Sequence, residues 1–187
     1  MKLVRGNLQP RIDGSQDRVI TAFKKRFLQS PIKDSVVALL FYGSRLFGNT
    51  TSDYDLDLIL KTFNSQDFKA IQEGVAAARR ETMAVIDFEV YYRDFIDLDE
   101  RFTTGAQGCY FLYSWAYADP ILGSTDEFKK ALEDIPERAF RRDLDCKFKN
   151  YFGRIQHALI NKQAPDLRAV RKNLTRAIYH AHLLLGN

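Results

Sequence analysis

The sequence predicts an α+β fold: a mixed β-sheet with helices packed on it, followed by a helical C-terminal bundle. Three stretches carry that reading. Residues 36–41 (Val-Val-Ala-Leu-Leu-Phe) form an apolar run of strand length that leads into Gly43-Ser44. Residues 53–60 read Asp-Tyr-Asp-Leu-Asp-Leu-Ile-Leu, which puts Asp53, Asp55 and Asp57 on one strand face. Residues 85–92 make a third strand, with Asp87 and Glu89 sharing a face.

Helical periods lie before, between and after these strands. Val19, Ile20, Phe23, Phe27 and Leu28 line one face of a helix that starts at Ser15, its expected cap, and stops at Pro31. Ser65 is the expected cap of a second helix running to about Thr82. Beyond the third strand the chain reads helical. Residues 107–117 form an aromatic-rich helix that ends before Pro120, and Ser124-Thr125-Asp126-Glu127 is a capping box opening the next. Leu144, Phe148, Phe152, Ile155 and Leu159 form one apolar stripe. Leu167, Val170, Leu174, Ala177, Ala181 and Leu184 form a second, with Pro165 between the two. The expected boundary falls near residue 103, giving a sheet domain over 1–103 and a helical domain over 104–187.

The chain has 187 residues, 45% hydrophobic and 28% charged, as a water-soluble globular protein does. Its longest apolar run, at 36–41, falls far short of the roughly 20 residues a membrane helix needs, so no membrane association is expected. No secretory signal pattern opens the sequence. Cys109 and Cys146 lack metal-ligand spacing and read as free thiols in a reducing cytoplasm. The net charge of +4 is uneven: residues 135–187 hold 11 Lys and Arg against 4 Asp and Glu. That basic tail suits a phosphate-bearing partner, and equally a solvated helical face.

The chemistry concentrates in residues 41–58, Phe-Tyr-Gly-Ser-Arg-Leu-Phe-Gly-Asn-Thr-Thr-Ser-Asp-Tyr-Asp-Leu-Asp-Leu. Carboxylates about 7 Å apart on one strand face repel each other unless cations neutralise them. All-oxygen ligands favour Mg²⁺ or Mn²⁺, and Mg²⁺ is usually shared between one or two carboxylates and substrate phosphates. Gly43 permits a tight turn and close backbone approach to a phosphate, to which Ser44 can donate. Arg45 or Lys61 could neutralise phosphate charge, or serve as ordinary surface cations.

This segment resembles the DNA polymerase beta-like nucleotidyltransferase superfamily, which is marked by Gly-Ser, a loop, then Asp-hydrophobic-Asp on the next strand. Ser52-Asp53-Tyr54-Asp55-Leu56 matches the second half, and Gly43-Ser44-Arg45 with Gly48 matches the first half as it occurs in the minimal and antibiotic-modifying branches. Eight residues separate Ser44 from Asp53, fewer than the family's usual nine or more. The metal pair is therefore Asp53 and Asp55, with Asp57 a nearby third acid, or else Asp55 and Asp57. The family's further carboxylate maps to Asp87 ahead of Glu89, as metal ligand or proton acceptor. The resemblance implies transfer of a nucleoside monophosphate from a nucleoside triphosphate, ATP being expected, to an acceptor hydroxyl, with metals Mg²⁺ or Mn²⁺ bound by Asp53, Asp55, Asp57 and Asp87. The acceptor is an RNA 3′ end, a protein side chain or a small molecule. The alternative is an inactive member of the fold serving as a binding or antitoxin module.

Two weaker features remain. Arg176 and His182 resemble the arginine–histidine motif of HEPN ribonucleases only in part, since the flanking polar signature is missing. Trp115, with Tyr110, Phe111, Tyr113 and Tyr117, reads as core, or as a platform for stacking bases.

Overall fold

The computed structural model describes residues 13–43, 45–46, 53–93, 108–160, 171, 173 and 174. They divide into two compact units: residues 13–93 with 113–130, and residues 108–112 with 131–160 and the three beyond. The chain thus returns to the sheet after residue 103, and residues 113–130 lie with the sheet rather than past a boundary there.

The first unit is built on four strands, β1 (Val36–Tyr42), β2 (Tyr54–Leu60), β3 (Ile86–Tyr92) and β4 (Asp119–Gly123), in the order β3-β2-β1-β4. β1 runs antiparallel to β2 and to β4, and β2 is parallel to β3. A parallel pair needs a crossover connection, which helix α2 (Asp67–Thr82) supplies between β2 and β3. The three predicted strands and the two helices around them are therefore present, in a mixed sheet with flanking helices.

Strand alternation separates two faces. One carries Phe41, Leu56 and Phe88 side by side in register, then Leu39, Leu58 and Val90. Helix α1 (Arg18–Leu28) packs on this face: Phe23 and Phe27 are fully buried and stack on Phe88 with ring centroids 5.6 and 5.9 Å away. Burying each such ring stabilises by about 2 kcal/mol. Ile71, Val75 and Ala78 of α2 complete the layer. Leu28, expected on the buried face of α1, is instead half exposed on the last turn.

Two expected caps are corrected. The cap of α1 is Asp17, not Ser15: its carboxylate accepts from the Val19 and Ile20 amides at 2.8 and 3.2 Å. Ser15 sits in a preceding 3₁₀ turn whose own cap is Asp13. Nor does Ser65 cap α2, which opens after Gln66 with no side-chain cap; Asn64 accepts the Gln66 amide instead. Met83 closes α2 in the left-handed conformation, at φ 55°.

Strand β4 was not expected, because Pro120 argues against a strand. Among the described residues it pairs only with β1, at the sheet's edge, beside an irregularity in register between Leu39 and Leu40. An edge strand tolerates a residue that cannot donate to the ladder. Gly123 ends β4 at φ +74°, where a β-carbon would fall 2.0 Å from the Val37 carbonyl oxygen.

Helix α3 (Gly108–Ala116) precedes β4, and α4 (Asp126–Glu133) follows it. Ser124 Oγ accepts the Asp126 amide rather than the Glu127 amide that a capping box would use, and Glu127 pairs with Arg93 at 3.2 Å instead of reaching back to Ser124. In the second unit, α5 (Glu137–Ile160) realises the first C-terminal stripe as helix, with the Phe148 and Phe152 rings stacked 5.9 Å apart. The side chains of Leu144 and Leu159, nearly all of the second stripe, and Arg176, His180 and His182 lie outside the described residues. Among the described residues no helix is long and apolar enough to cross a membrane.

Candidate metal and phosphate site

The sheet's second face carries the acids. Asp55 pairs with Tyr42 across the β1–β2 ladder and with Asp87 across the β2–β3 ladder. Asp57, one step further along β2, pairs with Glu89. The parallel register therefore sets Asp87 beside Asp55, and Glu89 beside Asp57. The Glu89 carboxylate accepts from the Tyr91 hydroxyl on its own strand.

Asp53, Asp55 and Asp87 converge: one carboxylate oxygen from each lies within 4.8 Å of the others. Asp53 and Asp55 are half-buried and Asp87 is exposed. Three like charges at that spacing raise one another's energy, and a divalent cation between them reverses the sign. The donor set is all carboxylate oxygen, which suits Mg²⁺ or Mn²⁺. In an octahedral Mg²⁺ shell opposite ligands stand about 4.2 Å apart and adjacent ones about 3 Å, so the three carboxylates would draw together on a shared ion.

Gly43 borders this trio. Its φ is +81°, and a β-carbon built on it would fall 1.9 Å from Asp55 Oδ2. Glycine is required there twice over, by backbone conformation and by the nearness of the carboxylate. Ser44 lies outside the described residues.

Asp57, expected as a further metal ligand, is not one of the trio. It is completely buried, although it shares the face with Asp55. Its Oδ2 accepts from Trp115 Nε1 at 2.6 Å, and its Oδ1 accepts from the Tyr42 hydroxyl at 3.2 Å. Trp115 belongs to α3 and covers this part of the face, packing edge-on against Tyr91 and tilted against Phe128 of α4. Burial pushes the Asp57 carboxyl up to about 7, opposed by the Trp115 hydrogen bond and reinforced by the charge of Glu89. Burial, then the charges of Asp57 and Asp55, drives the Tyr42 hydroxyl far above its ordinary value, so it stays protonated as a donor.

The two cations considered for phosphate each have a protein partner. The Arg45 guanidinium sits 4.0 Å from the centroid of the Tyr54 ring, and Tyr54 alternates onto the opposite face of β2 from Asp55. Lys61 donates to the Asp34 carbonyl at 2.7 Å beyond the far end of β2, about 20 Å along the strand from Asp55.

Sequence reasoning missed the partnership of Tyr42 and Trp115 with Asp57. A signal was present: a buried tryptophan needs an acceptor for its N–H, and an apolar strand with one surplus acid offers one. No protein-family model matches the chain, and a search of curated proteins finds no match.

Proposed function

We propose that this chain is a metal-dependent nucleotidyltransferase, moving a nucleoside monophosphate from a nucleoside triphosphate to an acceptor hydroxyl. The observation that carries the reading is the gathering of Asp53, Asp55 and Asp87 within 4.8 Å beside the Gly43 turn. Without a cation that cluster costs stability, and the Gly43 turn leaves backbone free of a side chain beside it, where a phosphate can approach.

Asp53, Asp55 and Asp87 would together hold the metal, and the Gly43 backbone would lie against the phosphates. Mg²⁺ or Mn²⁺, when bound, neutralises phosphate charge and makes the acceptor hydroxyl more acidic. The acceptor oxygen attacks the α-phosphorus in line, and the bond to the bridging oxygen on the β side breaks. Pyrophosphate leaves, and the acceptor's proton passes to Asp87, the most exposed carboxylate of the three.

Thermal unfolding with each triphosphate, with and without Mg²⁺, tests the reading. Ligand at 100 times its dissociation constant adds about 2.7 kcal/mol of stability. The shift should require metal and vanish in Asp55→Asn. No shift with any triphosphate, or an undiminished shift in Asp55→Asn, ends the reading. Labelled triphosphate incubated with RNA, protein and small hydroxyl compounds then identifies the acceptor class by which one gains label.

A further inference from the structure

Asp57 is the one acid of β2 that is withdrawn completely from solvent, and both its oxygens have protein donors. A buried carboxylate is costly and needs such partners. Its Tyr42 partner is the residue before Gly43 and stands level with Asp55 in the ladder. The Gly43 backbone in turn lies against the Asp55 carboxylate. An unbroken line of contacts therefore runs from Trp115 through Asp57 and Tyr42 to Gly43 and Asp55.

We propose that Asp57 is a positioning residue: by accepting from Trp115 and Tyr42 it holds the Tyr42–Gly43 turn against Asp55 and so shapes the phosphate-binding edge of the site. This rests on the nucleotidyltransferase reading. The metal ligands themselves do not depend on the link, because Asp53, Asp55 and Asp87 are set by β2, β3 and their register. Nucleotide affinity depends on it, because the Gly43 turn follows directly on Tyr42, whose hydroxyl the Asp57 carboxylate holds. A role confined to stability predicts the opposite pattern, a lower melting temperature with nucleotide affinity unchanged well below it.

Tyr42→Phe removes one oxygen and keeps the ring, so it isolates the link; Asp57→Asn perturbs it more strongly. Mn²⁺ binding is read by electron paramagnetic resonance, ATP binding in saturating Mn²⁺ by titration, and folding by melting. In Tyr42→Phe, ATP binding should weaken about tenfold, as loss of one hydrogen bond worth about 1.4 kcal/mol implies, while the Mn²⁺ dissociation constant changes less than threefold. A folded Asp57→Asn should show the same split, and if it does not fold, Tyr42→Phe decides alone. Unchanged ATP affinity in Tyr42→Phe, or equal losses of Mn²⁺ and ATP, overturns the positioning role while leaving the enzyme reading standing. If the unaltered chain binds neither Mn²⁺ nor ATP, the enzyme reading itself fails and takes this role with it.

Discussion

The backbone of Gly43 lies so close to the side chain of Asp55 that a single added methyl would fall 1.9 Å from the carboxylate oxygen. The two residues sit on neighbouring antiparallel strands, Gly43 just past the end of β1 and Asp55 opposite Tyr42. Gly43→Ala meets both the collision and left-handed strain, which alone costs roughly 1–2 kcal/mol. It should lower the melting temperature and abolish the metal-dependent nucleotide shift. Gly153→Ala is the control: it lies in α5 with nothing within 4 Å of an added β-carbon. That change should raise stability by about 0.5–1 kcal/mol through helix propensity.

The acid trio predicts a reversal of sign with metal. In chelator, Asp87→Asn removes one charge from the cluster, and each like-charge pair at this spacing costs on the order of 1 kcal/mol. The variant should then melt at or above the unaltered chain. In saturating Mg²⁺ it lacks a ligand and should melt below it. Identical ordering of the two melting temperatures in both buffers would show that the carboxylates do not share a cation.

Asp17 joins two elements: it caps α1 and accepts from the Tyr54 hydroxyl at 2.9 Å. Asp17→Ala loses a helix cap and leaves a partly buried hydroxyl without this acceptor, and should cost about 2 kcal/mol in denaturant unfolding. Ser15→Ala should cost less than about 0.5 kcal/mol. Equal losses would return the cap to Ser15.

Asp119 offers a pH-dependent test away from the acid trio. Burial, and after it the charge of Asp13, holds its carboxyl above the ordinary value of 3.8. The folded state therefore prefers the protonated form. The stability this confers is fully present below the ordinary value and is lost as pH rises through the raised one. Asp119→Asn keeps the neutral shape, so its stability relative to the unaltered chain should improve from pH 4 to pH 7. A relative stability that stays flat or falls over that interval refutes the assignment.

Much of this protein was determined by sequence alone. Alternation over residues 53–60 assigned the acids to one strand face and the leucines to the other, because side chains on a strand repeat every two residues. The apolar run at 36–41 and the helical period of Val19, Ile20, Phe23 and Phe27 located β1 and α1 in the same local way, though not the cap of α1. Tertiary structure decided what local periodicity cannot carry. Asp53, Asp55 and Asp57 look equivalent in the sequence, yet parallel register brings Asp87 to the first two while Trp115, 58 residues away, seals off the third. Strand β4 was hidden because Pro120 is acceptable only at a sheet edge, and which strand becomes the edge is settled by packing. Periodicity depends on neighbours along the chain; register, burial and edge position depend on partners far along it, brought close only when the core closes.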